Sequence, residues 1–288
     1  MAYIKMVTDS AADISAQLQK ELEIQVLPFP IATEDREYRD GVDLAPEEFY
    51  RVLTAAANIP THSQLTPFQF EECYEQAYEA GYTDLIYTAI NGKGSATYTN
   101  SVQARQTFYE EHPEAKEKFK IHLIDSGTYS MAYGWAVMEG AKMAAKGVAV
   151  EKILAAMKDW IEHTRILVVP LDLRFAKKSG RISAAAAFMG EALGLKPIVT
   201  FEDGESKIIA KVRGEKNVVP SMLDICKKKR KKGTPYFVAY GNNHEAGGRL
   251  LGASIQELGE QPSEEFYLGG VITINVGPNV IGIIYREK

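Results

Sequence analysis

A chain of 288 residues with 45% hydrophobic and 25% charged side chains has material for two ordinary cores and is too apolar to stay disordered. Its net charge of -5 and pI near 5.7 exclude a nucleic-acid protein working through an overall basic surface. Two cysteines far apart in sequence, Cys73 and Cys226, exclude a disulfide framework or a zinc-ribbon pattern and point to reduced cytosolic thiols. The opening residues are too polar for an export segment, so the expected location is cytoplasmic, with at most transient contact with a membrane surface.

From the start, Tyr3 to Thr8 reads as a buried strand running into Thr8-Asp9-Ser10, a capping cluster before a helix. Residues Ile24 to Ile31 contain Pro28 and Pro30 and suit an edge or irregular strand. Pro46-Glu47-Glu48 opens a helix with Phe49, Val52 and Leu53 on one face. The loop from Pro60 to Pro67 packs side-chain hydrogen-bonding groups between two prolines. Thr61, His62 and Ser63 there either line a binding site or form turns, while Thr66 and Pro67 open a helix that stops at Gly81. Strand Asp84 to Ile90, turn Gly92 to Thr97, helix Tyr98 to Tyr109, strand Ile121 to Ile124 and helices from Tyr129 to Ala145 and Val150 to Glu162 follow. Such alternation predicts a parallel sheet covered on both faces, with ligands beyond the carboxyl ends of its strands. Those ends are Thr8-Asp9-Ser10, Ile90-Asn91-Gly92 and Asp125-Ser126-Gly127.

The stretch Val168 to Val199 begins and ends as a strand. Between them Arg174, Lys177, Lys178 and Arg181 crowd around the turn Ser179-Gly180, and a helix of small residues is predicted from Ile182 to Met189. A cationic turn opening a helix suits an anionic group near Arg181, and it equally suits a solvated basic loop. Strands are expected near Lys207 to Lys211, Tyr236 to Tyr240, Phe266 to Leu268, Val271 to Asn275 and Ile281 to Tyr285, with helices over Lys216 to Lys232 and Glu245 to Leu258. The Lys227 to Lys232 run then sits at a helix C-terminus, either as a solvated face or as a docking surface. The predicted fold class is α/β in two domains, residues 1–163 with a parallel sheet and 164–288 with a mixed one.

Three chemistries remain open on residue types alone. The turn Gly92 to Thr97 follows a strand and opens a helix as a dinucleotide fingerprint does, but its last glycine position is a threonine. Ser95 with His62 could serve as nucleophile and base of an acyl-ester hydrolase, although no nucleophile elbow surrounds Ser95. Asp9 and Asp125 read as helix caps before they read as metal ligands, and neither a metal nor a cofactor is expected.

Thr8-Asp9-Ser10 with Asp13, the ThrHisSerGln loop with Thr66-Pro67, Ser95-Ala96-Thr97-Tyr98, Asp125-Ser126, LysLysSerGlyArgIleSer, Lys196-Pro197-Ile198 and Gly277-Pro278 occur in an order that resembles the DegV family across nearly the whole chain. The resemblance implies a non-catalytic, lipid-binding protein that holds a long-chain fatty acid between two α/β domains and presents its carboxylate to a separate fatty-acid kinase. Carried over by position, it places ligand contacts at Thr61, His62, Ser95 and Arg181, and Asn91 at its strand end is expected to join them. Three departures from the family pattern stand out: His62 replaces a hydroxyl, the turn into Tyr98 reads AsnGlyLysGlySerAlaThrTyr in place of SerSerXxxLeuSerGlyThrTyr, and Asn275 replaces the histidine expected before the Gly-Pro pair. If His62 faces the carboxylate, its protonation should tighten binding as pH falls.

Overall fold

The computed structural model describes residues 3–184 and 194–288. Most of the small-residue helix predicted from Ile182 to Met189 falls outside the described residues. The chain is an α/β protein that divides into two compact units, one of residues up to Pro30 with Ser63–Glu162, the other of Ile31–His62 with His163–Lys288.

The first unit is built on a four-stranded parallel sheet in the order Gln25–Leu27, Ile4–Asp9, Asp84–Ala89, Lys120–Asp125. Asp84–Ala89 is buried at every position, as an inner strand covered on both faces must be. The proline-bearing segment supplies only the short edge strand Gln25–Leu27, since Pro28 has no N-H to continue the ladder. Helices Pro67–Glu79 and Thr97–Glu111 pack on each other, and Phe70, Tyr74, Phe108 and Phe119 fill the space between them and the sheet. Helix Met131–Ala145 lies against the first strand, and Trp160 of helix Val150–His163 ties to it by donating Nε1-H to the Ala132 carbonyl at 2.9 Å. In this register Thr8 pairs with Thr88 and Ala89 with Asp125, so Asp9, Ile90 and Asp125 line one edge of the sheet.

The second unit holds a six-stranded mixed sheet in the order Glu205–Arg213, Leu195–Glu202, Thr164–Pro170, Val280–Arg286, Tyr236–Tyr240, Glu264–Tyr267. All neighbours run antiparallel except the last pair. Helices Val218–Lys229 and His244–Leu258 cover a core that includes Leu167, Val169, Ile198, Val238, Ile281 and Ile283. A small sheet of Glu37–Arg39, Pro30–Ala32 and Thr61–His62 accompanies it.

A single cut near residue 163 makes no provision for residues 31–62, which group with the C-terminal half. Long-range bonds explain this. The Tyr50 hydroxyl donates to the Leu268 carbonyl at 2.6 Å, and Gly270 N-H donates to buried Asp40 Oδ1 at 2.9 Å. The segment expected as a strand from Val271 to Asn275 is instead part of helix Gly270–Val276, all but Asn275 buried. Its short run of β-branched residues carries no period that separates strand from buried helix, and Thr273 Oγ1 satisfies the Gly269 carbonyl at 2.9 Å in the helical form. The basic run ends helix Val218–Lys229 as expected. Four of its six cations are held by carboxylates: Lys227 by Glu257, Lys228 by Asp224, Lys229 by Glu287 and buried Arg230 by Glu260. Both cysteine thiols are buried, and burial pushes each up to about 12.

Candidate functional site

In the first unit the strand ends do carry the polar groups, but mostly for their own support. Asp9 stands at the N-cap position of the short helix Ser10–Ala12, but its carboxylate is engaged chiefly elsewhere. Its Oδ1 accepts from the Tyr133 hydroxyl at 2.6 Å, and its Oδ2 accepts from the Tyr87 hydroxyl at 3.0 Å and from Ile90 N-H at 2.9 Å. Fully buried, it is pushed up to about 6 because loss of water outweighs those donors. Asp125 Oδ1 accepts from Gly92 N-H at 2.9 Å and Gly127 N-H at 3.0 Å, stitching two strand-end turns together. Gly92 is a glycine for this reason: a Cβ there would stand 2.4 Å from Asp125 Oδ2. The Gly92 to Thr97 turn therefore serves a carboxylate of its own unit.

Asn91 is buried, donates Nδ2-H to the Tyr129 hydroxyl at 2.7 Å and accepts Lys93 N-H at 3.1 Å. Half-buried Ser95 shares a hydroxyl-hydroxyl bond of 2.9 Å with Thr97, whose Oγ1 also accepts Leu65 N-H at 3.3 Å. This hydroxyl pair opens helix Thr97–Glu111, with Thr97 N-H donating to Ser95 Oγ at 3.3 Å. The histidines of this unit are occupied at carboxylates, His112 by Glu75 at 2.9 Å and His122 by Asp84 at 2.8 Å. Neither supplies a base to Ser95 in that arrangement.

In the second unit Thr61, His62 and Arg181 come from distant parts of the chain. Thr61 and His62 form a two-residue strand, His62 opposite Ile31. Thr61 is exposed and His62 partly buried. Asn275 Nδ2 lies 3.0 Å from His62 Nε2 and 2.7 Å from the Val271 carbonyl. Two of the three departures from the family pattern thus touch one another. The short helix Arg174–Ser179 ends at Gly180, whose φ of +67° only a glycine adopts without strain, and the chain then turns to Arg181. Ser179 fixes that turn: its Oγ accepts Arg181 N-H at 3.3 Å and lies 3.4 Å from the Asn275 carbonyl.

The cations of the turn separate by role. Arg174 is held by Asp172 at 2.6 Å, and Lys178 donates to the Ile59 carbonyl at 3.1 Å. Arg181 is exposed, and its charge is felt at His62. Burial first, and then Arg181, push the His62 imidazole below its usual range. An amide oxygen against the ring would oppose this, but the Val271 carbonyl turns the nitrogen of Asn275 towards it. That downward direction runs against the expected tightening by a protonated His62. Asn275 and Ser179 were not among the expected ligand residues, although the turn at Ser179 and the departure at Asn275 were both marked in the sequence. A distinct cleft of about 430 Å³, lined by Glu47, Tyr50, Arg51, Thr54, Ala55, Asn242 and His244, contains none of the expected ligand residues.

A family model described as "Uncharacterised protein, DegV family" matches residues 3–288. A DegV domain-containing protein of Caldanaerobacter subterraneus subsp. tengcongensis is 31% identical over 294 aligned positions, covering 100% of both chains. Another, of Clostridium perfringens, is 31% identical with 99% of each chain covered. Among solved structures, a DegV family protein from Thermus thermophilus, reported for its fatty acid binding, shares 27% identity and a TM-score of 0.86, with 99% of this chain and 100% of that one covered. The fold is likewise that of DegV, a fatty acid binding protein from Bacillus subtilis, at 23% identity, a TM-score of 0.85 and full coverage of both. Matched by the family model over residues 3–288 and by relatives covered over 99–100% of each chain, this chain belongs to the DegV family.

Proposed function

We propose that this protein binds one long-chain fatty acid without transforming it, with Thr61, His62, Arg181, Asn91 and Ser95 as the residues at its carboxylate. The observation that carries this reading is the exposed guanidinium of Arg181, on a turn braced by Ser179, whose charge is felt at the partly buried His62 imidazole. A guanidinium binds a carboxylate in two parallel hydrogen bonds, and a neutral ring adds a donor without adding an acid. The likeness to the Thermus protein at 27% identity supports an acyl chain behind that carboxylate. Asn91 and Ser95 fit a supporting role better than a nucleophilic one, because Ser95 is paired with Thr97 and Asn91 with Tyr129.

The finer part of the proposal is that the carboxylate is presented to a separate fatty-acid kinase. The exposure of Arg181 on its turn supports this, while Asn275 changes the family pattern at one position of such a surface. Organic extraction of the purified protein followed by mass spectrometry tests the binding directly. A co-purifying acyl chain is expected. Turnover of acyl esters that disappears in Ser95→Ala would instead make the protein a hydrolase.

A further inference from the structure

The contact between His62 and Asn275 determines where the protons are. Asn275 Nδ2 lies 2.7 Å from the Val271 carbonyl, and a carbonyl oxygen can only accept. The nitrogen of the side-chain amide, not its oxygen, therefore faces Val271. Its other N-H is left for His62 Nε2 at 3.0 Å, and a ring nitrogen that accepts carries no proton. We propose that Asn275 is a positioning residue that holds His62 neutral, with its single proton on Nδ1, at the carboxylate end of the ligand site.

The charged surroundings agree. Strand Pro30–Ala32, which pairs with Thr61–His62, has no ionisable side chain, and helix Gly270–Val276 has none either. Helix Arg174–Ser179 and its turn bring the cations: Lys178 is directed to the Ile59 carbonyl, and Arg181 places its charge near the ring. Arg181 thus sets a positive charge against the His62 imidazole. An imidazolium would meet an N-H from Asn275 on one side and the field of a guanidinium on the other. Ser179, bonded to both the Asn275 carbonyl and Arg181 N-H, keeps these two influences on one frame. A histidine at position 62 thus acts as a fixed neutral donor and not as a pH switch. His62 and Asn275 work as a unit, the imidazole at one position having its tautomer fixed by the amide at the other.

The role of Asn275 rests on the fatty-acid reading only for its effect on binding, so the test begins without ligand. Full-length protein with nitrogen-labelled histidine is followed by NMR between about pH 5.5 and 8, and His62→Thr identifies the signal. The expected His62 signature is a protonated Nδ1 and a bare Nε2, unchanged over that range. In Asn275→Asp, which offers the ring an acceptor, His62 should titrate within the range and take a proton on Nε2. A wild-type His62 protonated on Nε2, or one that titrates near pH 6.5, would overturn the proposal even if the Asp variant fails to fold. Binding is then measured with a fluorescent long-chain acid at about pH 6.5 and 8, where less than a twofold change in Kd is expected for the wild type. A tenfold tightening at the lower pH would also overturn it. Absence of any fatty-acid binding would sink the functional reading while the ligand-free spectra still decide the tautomer.

Discussion

Arg181 and Lys178 sit three residues apart on one cationic turn, yet the structure gives them different work. Lys178 braces the chain at Ile59, whereas Arg181 is exposed beside His62. Replacing Arg181 by Ala should weaken long-chain fatty-acid binding at least about tenfold, the cost of a lost charge-assisted contact, and Lys178→Ala should change Kd less than about threefold. Isothermal titration of the two variants with one acid checks this, and equal losses would refute it. Asp9 makes a prediction of another kind. Its carboxyl is raised from an ordinary 3.8 to about 6 because burial outweighs the hydrogen bonds from Tyr133, Ile90, Tyr87 and Ala11. A folded value above the unfolded one means the contribution is full below about pH 4, is lost as pH rises to about 6, and is level beyond. The loss should be roughly 3 kcal/mol, at 1.36 kcal/mol per unit. Urea unfolding of the wild type and Asp9→Asn between about pH 4 and 7 reads it as a slope that only the wild type shows. At about pH 4 the Asn variant should be the less stable of the two, since its amide turns N-H groups towards donors, and the gap should narrow as pH rises.

Among the elements, the turn from Gly92 to Thr97 is the most constrained. A methyl at position 92 would meet Asp125 at 2.4 Å and disturb the carboxylate that also holds Gly127. Gly92→Ala should therefore cost about 1–3 kcal/mol in urea unfolding, as overpacking does, and a neutral result would show that Asp125 can turn aside freely. The strand and helix alternation of the first unit was legible because its periods are long and its breaks are marked: Thr66-Pro67 opens a helix capped by a Thr66-Gln69 box, and strand Asp84–Ala89 stands where the apolar run predicted it. Gly270–Val276 was not legible. Seven residues with nearly every side chain buried leave no polar face to reveal a 3.6-residue period, and Val, Ile and Thr lean towards strand until tertiary packing decides otherwise. The site was legible in part for a related reason. A Gly-Arg turn after a run of lysines announces a cation by its residue types, but which cation is left for a ligand depends on Asp172 and Ile59, and no spacing rule connects those to Arg181 or Lys178.

For the whole molecule, the acyl chain should dominate affinity. Each buried methylene is worth about 0.8 kcal/mol, or roughly fourfold in Kd, so affinity should climb through a series of acids until the cavity is filled. Isothermal titration with a series from about six to sixteen carbons gives the test, and a flat series would exclude an apolar chain site. Saturation at about 100 times Kd should stabilise the fold by about 2.7 kcal/mol and raise Tm by several degrees in a thermal melt. Acids too short to fill the site should give smaller shifts at equal concentration. Among the described residues, no helix is long and apolar enough to cross a membrane.

The placement of residues 31–62 in the second unit bears on how the chain is made. During translation this segment leaves the ribosome early, but the groups it bonds come late: Leu268 follows Tyr50 by 218 residues, Gly270 follows Asp40 by 230, and Asn275 follows His62 by 213. At roughly 5–20 residues per second the wait is on the order of ten to forty seconds. Throughout that time Phe49 and Leu53, both buried in the finished fold, lack the neighbours that helix Gly270–Val276 provides. A nascent chain stopped at residue 162 would hold every strand of the four-stranded parallel sheet, together with a 32-residue loop whose closing bonds have not yet been synthesised. That interval, rather than the formation of either sheet alone, is when the protein most needs a chaperone.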